Sequence, residues 1–272
     1  LLPPPAIVRD ADYLLVESTY GDRVHEPVDP MAQLAAVIRR TADRGGVLLI
    51  PSFAVGRTQT LLYLLHRLKT DRSIPDLPIF VDSPMAAAAI RIFKENPDHH
   101  DLTAAQCEAV CEVAEAVESV EQSRAITHMR YPQVIISASG MATGGRVVHH
   151  LKALASDARN TILFTGHQAV GTRGAALVGG AKSVKIHGQY VAVHAEVDVL
   201  DNLSAHADAV EILDWLHHFD SAPRTTFITH GEPVAADALR LRIEESLSWR
   251  CVVPEHGESA VLTHAHEARA AD

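Results

Sequence analysis

The sequence has no surplus of positive charge. Its 34 acidic residues outnumber its 24 lysines and arginines, for a formal net charge of −10. Proteins that grip nucleic acid through a broad electrostatic field are usually basic, so weak non-specific affinity for long nucleic acid is expected. A phosphodiesterase that works through a metal cluster and a few local arginines remains open. Cysteine is scarce: Cys107, Cys111 and Cys251 are the three present. An odd, sparse count argues against a disulfide framework and for a reducing, cytoplasmic setting. Cys107 and Cys111 stand one helical turn apart. Two thiols without histidine partners at finger spacing read as helix-core residues and not as metal ligands. Long apolar runs are missing too. Runs such as those at 47–50 and 134–138 are strand-sized, and none approaches the ~18–20 residues a membrane helix takes. The opening Leu1-Leu2-Pro3-Pro4-Pro5 lacks the basic and apolar regions of a secretory signal and reads as a linker within a longer chain.

What is there is an ordinary globular composition, 47% apolar and 21% charged over 272 residues, enough for one large domain or two modest ones with a real core. Apolar strand-like runs at 13–16, 47–50, 78–81, 133–137 and 161–164 alternate with helical patterns at 31–43, 57–68, 84–96, 103–120 and 145–155. That alternation predicts a largely parallel sheet with helices on its faces. After about residue 181 the texture changes. Runs at 184–187 and 190–194 flank Gly188-Gln189, and a third follows at 197–200, which reads as a hairpin plus one more strand in an antiparallel element. A helix at 209–218, a strand at 225–229, a helix at 235–246 and a strand at 250–253 complete the pattern.

Polar residues directly after apolar strands are where layered α/β folds place their chemistry. Glu17-Ser18-Thr19-Tyr20-Gly21 offers a carboxylate for a metal or a histidine, or helix caps in Ser18 and Thr19. Leu203-Ser204-Ala205-His206-Ala207-Asp208 places His206 in a turn among small neighbours, with Ser204 or Asp208 able to cap the next helix. His230 ends an apolar strand and is followed by Gly231, an arrangement that suits a metal ligand and also a structural histidine. The loop from Ser137 through Ser139, Gly140 and Thr143 to Arg146 follows a strand and opens a helix, so its N–H groups can hold an anion. It meets neither the Walker nor the dinucleotide spacing. Arg57 and Arg146, with Arg173 as a lesser candidate, are placed either for phosphate contacts or for hydrogen bonds within their own lobe.

The order of these segments, with Pro51-Ser52-Phe53-Ala54-Val55-Gly56-Arg57-Thr58-Gln59 between the first and the anion loop, resembles the β-CASP branch of the metallo-β-lactamase superfamily. That branch includes ribonuclease J and the endonuclease of the pre-mRNA cleavage and polyadenylation machinery. The likeness runs from Ala11 to about Glu258. It implies an α/β fold: a β-CASP cap domain with a parallel sheet flanked by helices at 23–190, and the C-terminal half of a metallo-β-lactamase αββα sandwich from residues 1–22 and 191–272. It further implies a zinc-dependent hydrolase acting on RNA. Glu17 would orient His206 as proton donor to the leaving group, and His230 would bind zinc directly. A carboxylate–imidazole pair fixes the tautomer for acid catalysis, and two metals about 3.5–4 Å apart would activate water and clamp the phosphate.

The sequence departs from that pattern in one respect. The H-x-H-x-D-H loop that supplies most of the metal ligands is absent, as are the further histidine and the bridging aspartate. His264-Ala265-His266 has the first spacing but not the Asp-His that should follow. The two-zinc site is therefore expected to be incomplete, and this chain alone inactive. Half a sandwich would also bare apolar surface, so a homodimer is a possible outcome. An alternative is a non-catalytic nucleic-acid-binding or scaffold subunit derived from such a nuclease. A third reading, an unrelated doubly wound enzyme with a nucleotide on the Ser139–Arg146 loop, leaves His230 unexplained.

Overall fold

The structure is a computed structural model that describes residues 1–263; the His264-Ala265-His266 segment lies outside the described residues. In chain order the elements are strand β1 (Tyr13–Glu17), helix α1 (Pro30–Asp43), β2 (Val47–Pro51), α2 (Arg57–Thr70), β3 (Ile79–Asp82), α3 (Pro84–Glu95), α4 (Ala104–Glu112), β4 (Glu115–Ala116) and α5 (Val120–His128). There follow β5 (Gln133–Ser137), α6 (Arg146–Leu154), β6 (Thr161–Phe164), α7 (Arg173–Val178), β7 (Ser183–Ile186), β8 (Gln189–Ala192), β9 (Glu196–Val199), α8 (Ala209–Leu216), β10 (Thr225–Thr229), α9 (Pro233–Leu247) and β11 (Cys251–Val252). Two compact units emerge. Residues 1–3 and 26–205 form the larger; residues 4–25 and the described residues from 206 onward form the smaller.

The larger unit is built on a six-stranded sheet, ordered β4-β3-β5-β2-β6-β9, with every pair parallel. Its inner strands read VLLIP, IFVD, QVIIS and TILF and are buried at every residue. Continuous apolar runs of this kind are what a parallel sheet covered on both faces requires. Alternate side chains go to opposite layers. Leu48, Ile50 and Ile136 join Leu34, Ile38, Leu61 and Leu65 of α1 and α2. Leu49, Ile135 and Phe164 join Val147 and Leu151 of α6. The helices that follow the neighbouring strands β2 and β5 thus pack on opposite faces, which opens a crevice at the C-terminal edge between them.

Two expectations about this unit need correction. The run at 103–120 does not form one helix. It breaks after Glu112, and Ser119 starts a new helix through a capping box with Gln122, because each N-cap hydroxyl satisfies an otherwise orphaned N–H. The third strand after residue 181 is also not part of an antiparallel layer. β7 and β8 form the hairpin, whereas β9 pairs in parallel with β6 from Glu196↔Thr161 to Val199↔Phe164. Residues 191–205 therefore pack with the larger unit, and the two compact units meet along the chain at residues 25–26 and 205–206.

The smaller unit holds a three-stranded parallel sheet ordered β1-β10-β11. Val16 and Ile228 pack against Ile212 and Leu216 of α8 and Leu239 and Ile243 of α9. Leu15, which points to the other face by strand alternation, is 67% exposed.

A buried ion cluster ties the larger unit together at the end of β3. Asp82 is fully buried. It accepts hydrogen bonds from Arg146 Nη1 at 2.6 Å and Ser123 Oγ at 2.5 Å, and faces His150 Nε2 at 2.6 Å. Burial alone would raise its pKa. The bonds from His150, Ser123 and Arg146, with the charge of His150, outweigh that and hold the carboxyl below its ordinary value. Because the folded pKa lies below the unfolded one, the stabilisation is present above about 3.8 and is lost as pH falls through the folded value. Replacing Asp82 by Asn leaves Arg146 without its counter-charge and should cost about 3 kcal/mol in urea unfolding at neutral pH. The difference from the unsubstituted chain should shrink in strong acid. A variant within a few tenths of a kcal/mol of the parent would show that the cluster is not stabilising.

Candidate active site

The smaller unit assembles its polar cluster through backbone pairing. Parallel register sets Glu17 opposite Thr229, so the chains leave the sheet side by side, as Ser18 on one and His230 on the other. Ser18 Oγ donates to Thr229 O at 2.8 Å. The approach is close enough to require a glycine. A Cβ on Gly231 would stand 2.4 Å from Ser18 Oγ and 2.5 Å from Ser18 O. His230 itself takes the left-handed backbone, φ 56°, which is uncommon for a residue with a side chain. A second crossing is made at Tyr20, which bridges in parallel to Asp208 and brings the Ser204–Asp208 turn alongside. Gly21 is needed there too, because a Cβ would meet Ala235 O at 2.4 Å.

These crossings bring Glu17, His206 and His230 together. Glu17 Oε2 accepts from His206 Nδ1 at 2.7 Å and lies 3.8 Å from His230 Nδ1. The imidazoles sit with centroids 5.4 Å apart and planes inclined by 36°. Tyr20 meets the His206 ring edge-on at 6.4 Å. The cluster is open on the His230 side, where the side chain is 68% exposed against 38% for His206 and 32% for Glu17. One atom from each of the three lies within 4.8 Å of the others, a two-nitrogen, one-oxygen donor set of the kind zinc takes. Within it, the carboxylate and His206 Nδ1 are engaged with each other. A carboxylate has no proton to give, so the shared proton sits on Nδ1 and the acid–base chemistry of the ring runs through Nε2. His230 has no such short bond to Glu17.

Thr19 is a member of the cluster that sequence reading set down only as a possible cap. Its Oγ1 donates to Glu17 Oε2 at 2.8 Å, within 3.0 Å of His230 O and 3.2 Å of His230 Nδ1. The signal was its position two residues beyond Glu17, on the same side of the extended chain. Asp208, by contrast, caps α8 as expected. Its Oδ1 accepts from Val210 N and Glu211 N at 2.9 Å and its Oδ2 from His25 N at 2.7 Å, while Glu211 Oε2 accepts from Asp208 N. Burial would raise the Asp208 pKa, but those backbone bonds from Glu211, His25 and Val210 hold it below the ordinary value. His25, Asp208 and Glu211 also group closely, and the two carboxylates are used as helix caps.

The remaining sequence candidates lie in the larger unit. Ser139, Gly140 and Thr143 form the loop after β5, at the crevice between β2 and β5. Ser139 Oγ accepts from Thr143 N at 3.1 Å, and Gly140 packs so tightly on Phe53 that a Cβ would lie 2.7 Å from its ring. Arg146 is not turned toward a ligand. Its Nη1 serves Asp82 and Val117 O, and its Nη2 serves Glu118 O at 2.7 Å. Of the two placements the sequence left open for Arg146, the structure shows hydrogen bonds within the lobe. Arg173 likewise bonds Ala142 O and Lys185 O. Arg57 is buried at the start of α2, within 3.6 Å of the space over Gly166. Cys107 is buried in α4. Burial and the neighbouring Cys107 push the Cys111 thiol up to about 12, which keeps it protonated and unsuited to metal binding near neutrality.

The Gly231 approach gives a direct test. Adding one methyl there drives it into Ser18 backbone that the β1–β10 ladder holds in place. Gly231→Ala should lower stability by about 1–3 kcal/mol and broaden the NMR signals of His206 and His230. A variant of unchanged stability with unchanged histidine signals would contradict the close approach.

Two family models match the chain. One, described as the Beta-Casp domain, covers residues 58–177. The other, described as a Zn-dependent metallo-hydrolase RNA specificity domain, covers residues 190–254. Among curated relatives, a ribonuclease of Thermus thermophilus is 37% identical over 240 residues, 85% of this chain and 54% of the relative. Transcription termination factor FttA of Methanosarcina mazei is 31% identical over 249 residues, 86% of this chain and 39% of the relative. An RNase J-like protein of Methanocaldococcus jannaschii is 28% identical over 264 residues, 94% of this chain and 61% of the relative. The chain thus spans about half the length of the curated relatives it matches. With a mixed α/β architecture of helix-flanked parallel sheets and both family models in sequence, the chain belongs to the β-CASP metallo-β-lactamase family.

Proposed function

We propose that this chain carries the cap and the leaving-group half of the active site of a zinc-dependent ribonuclease. The observation that carries the reading is the 2.7 Å bond between Glu17 and His206, with His230 held beside them. Glu17 holds the His206 ring by Nδ1–H, and Nε2, when it too carries a proton, delivers that proton to the departing ribose oxygen. Thr19 adds a second bond to the same carboxylate oxygen and limits its rotation. His230, exposed and without a short carboxylate bond, serves as the zinc ligand. Zinc, when bound, supplies a Lewis acid for the scissile phosphate. The larger unit is the β-CASP cap, and the smaller one is part of the metallo-β-lactamase domain.

Three donors, one of them a carboxylate engaged with a histidine, fall short of what two zinc ions need. The H-x-H-x-D-H segment would supply the rest, and without it this chain is expected to bind zinc weakly and not to cut RNA. The exposed Leu15 marks the sheet face that the other half of the sandwich, or a second copy of the chain, would cover. Among the described residues no helix is long and apolar enough to cross a membrane. The sparse, odd cysteine count fits a cytoplasmic site of action.

The test is to fuse the H-x-H-x-D-H segment of a relative ahead of this chain and assay RNA cleavage with zinc. The fusion should cut. His206→Ala in it should lower kcat by about 10²–10⁴-fold with zinc retained, whereas His230→Ala should lose zinc. A fusion that binds zinc and RNA yet does not cut, or a His206→Ala variant of undiminished kcat, would favour the non-catalytic binding subunit instead.

A further inference from the structure

One surface of this acidic chain is cationic. Helices α5 and α6 pack side by side in the larger unit, and a hollow of about 260 Å³ opens along them. Helical spacing turns Val120, Arg124 and His128 of α5 toward it, and Arg146, His149 and Ala153 of α6. Arg124, His128 and His149 are exposed. None of the residues assigned to the hydrolytic chemistry lines the hollow, and no carboxylate does.

The cations there lack counter-charges. Arg146 is committed to Asp82, Val117 O and Glu118 O. Arg124, His128 and the flanking Lys152 make no ion pair or side-chain hydrogen bond among the described residues. His149 meets the ring of His187, at the turn between β7 and β8, with centroids 4.7 Å apart and planes tilted by 47°. Partial burial, then the charges of His187, His150, Arg124 and Lys152, hold the His149 imidazole below its ordinary pKa. All four neighbours are bases, and an anion among them would reverse that pull. The carboxylates of the surrounding segments are Asp82, held by Arg146 and His150, Asp157, held by Arg159, and the exposed Glu118 and Glu121 at the start of α5. The chain has 34 acidic residues, yet none of them lines this group of cations.

We infer that the groove along α5 and α6 binds single-stranded RNA by its backbone, with one phosphate seated against Arg124, His128 and His149. The hollow is smaller than the ~300–1,000 Å³ of a drug-sized site. It has room for a phosphoryl group and its sugar but not for a large cofactor. A guanidinium brings fixed charge and paired donors to phosphate oxygens. The exposed imidazoles of His149 and His187 offer faces on which an unpaired base can stack. A local contact of this kind lets a chain of net charge −10 hold a polyanion without a basic field over its whole surface. The choice of RNA rests on the ribonuclease reading, whereas the anion site rests on the groove itself.

The test uses this chain as it is. A fluorescein-labelled oligouridylate is titrated with it at about 20 mM salt, where screening is weak, and binding is read by fluorescence anisotropy. Affinity should rise as pH falls from about 8 to about 6, because a bound anion favours the protonated form of His149. Arg124→Gln should weaken binding about tenfold and lower the slope of log affinity against log salt by about 0.7. Arg91→Gln makes the same change of charge at an exposed position on α3 and should alter affinity less than about twofold. His149→Gln should flatten the pH dependence, with melting temperature checked in every variant. Inorganic phosphate and a phosphoserine peptide are the comparison ligands, and both should bind more weakly than the oligonucleotide. Equal losses in Arg124→Gln and Arg91→Gln, an affinity indifferent to pH, or no binding at about 100 μM chain overturns the inference. So does a phosphopeptide that binds through Arg124 where the oligouridylate does not. Failure here with a fusion that still cuts RNA removes this contact alone. Arg124-dependent RNA binding by a chain whose fusion never cuts keeps the groove and removes the nuclease reading.

Discussion

The pairing of β1 with β10 governs the smaller unit's chemistry. Two parallel strands from opposite ends of the chain run in a register that sets Glu17 against Thr229. The next residue on one strand is Ser18 and on the other His230, and Gly231 lets them approach within the reach of a side-chain hydroxyl. A slip by one residue would send every side chain to the other face and carry Glu17 away from both histidines. The Tyr20–Asp208 bridge does the same service for His206. Backbone hydrogen bonds thus fix the positions of groups that are 189 and 213 residues apart in sequence (206 − 17 and 230 − 17).

Charge follows from that placement. The carboxylate takes a proton-bearing nitrogen from His206 and a hydroxyl from Thr19 on the same oxygen, Oε2. His230 stays further off and more exposed. The two imidazoles therefore stand in different relations to one carboxylate. They differ by about 1 Å in the distance to a single oxygen (3.8 Å against 2.7 Å).

Much of the architecture was legible because buried parallel strands need continuous apolar runs. Segments such as Val47–Pro51 and Gln133–Ser137 carry that demand openly. The break at Ser119 was legible too, in Ser119 followed three residues on by Gln122, but an unbroken Ala/Glu/Val pattern masked it. The strand at Glu196–Val199 is a different matter. Its alternating EVDV sequence fits either sheet, and only the position of β6 decides which edge it joins. Glu17, His206 and His230 were found as motifs at strand ends. Their convergence depends on long-range register, which no local spacing encodes. Arg146 shows the reverse problem. At a helix start after a strand it looks like a phosphate ligand, and the buried Asp82 that claims it lies 64 residues away.

The account turns on the proton between Glu17 and His206. Long-range ¹⁵N–¹H correlation spectra of the imidazole near neutral pH measure which ring nitrogen carries it. The geometry predicts Nδ1–H for His206 and a change of tautomer or of Nδ1 shift in Glu17→Gln. A His206 ring protonated on Nε2 alone, with signals indifferent to Glu17→Gln, would contradict it.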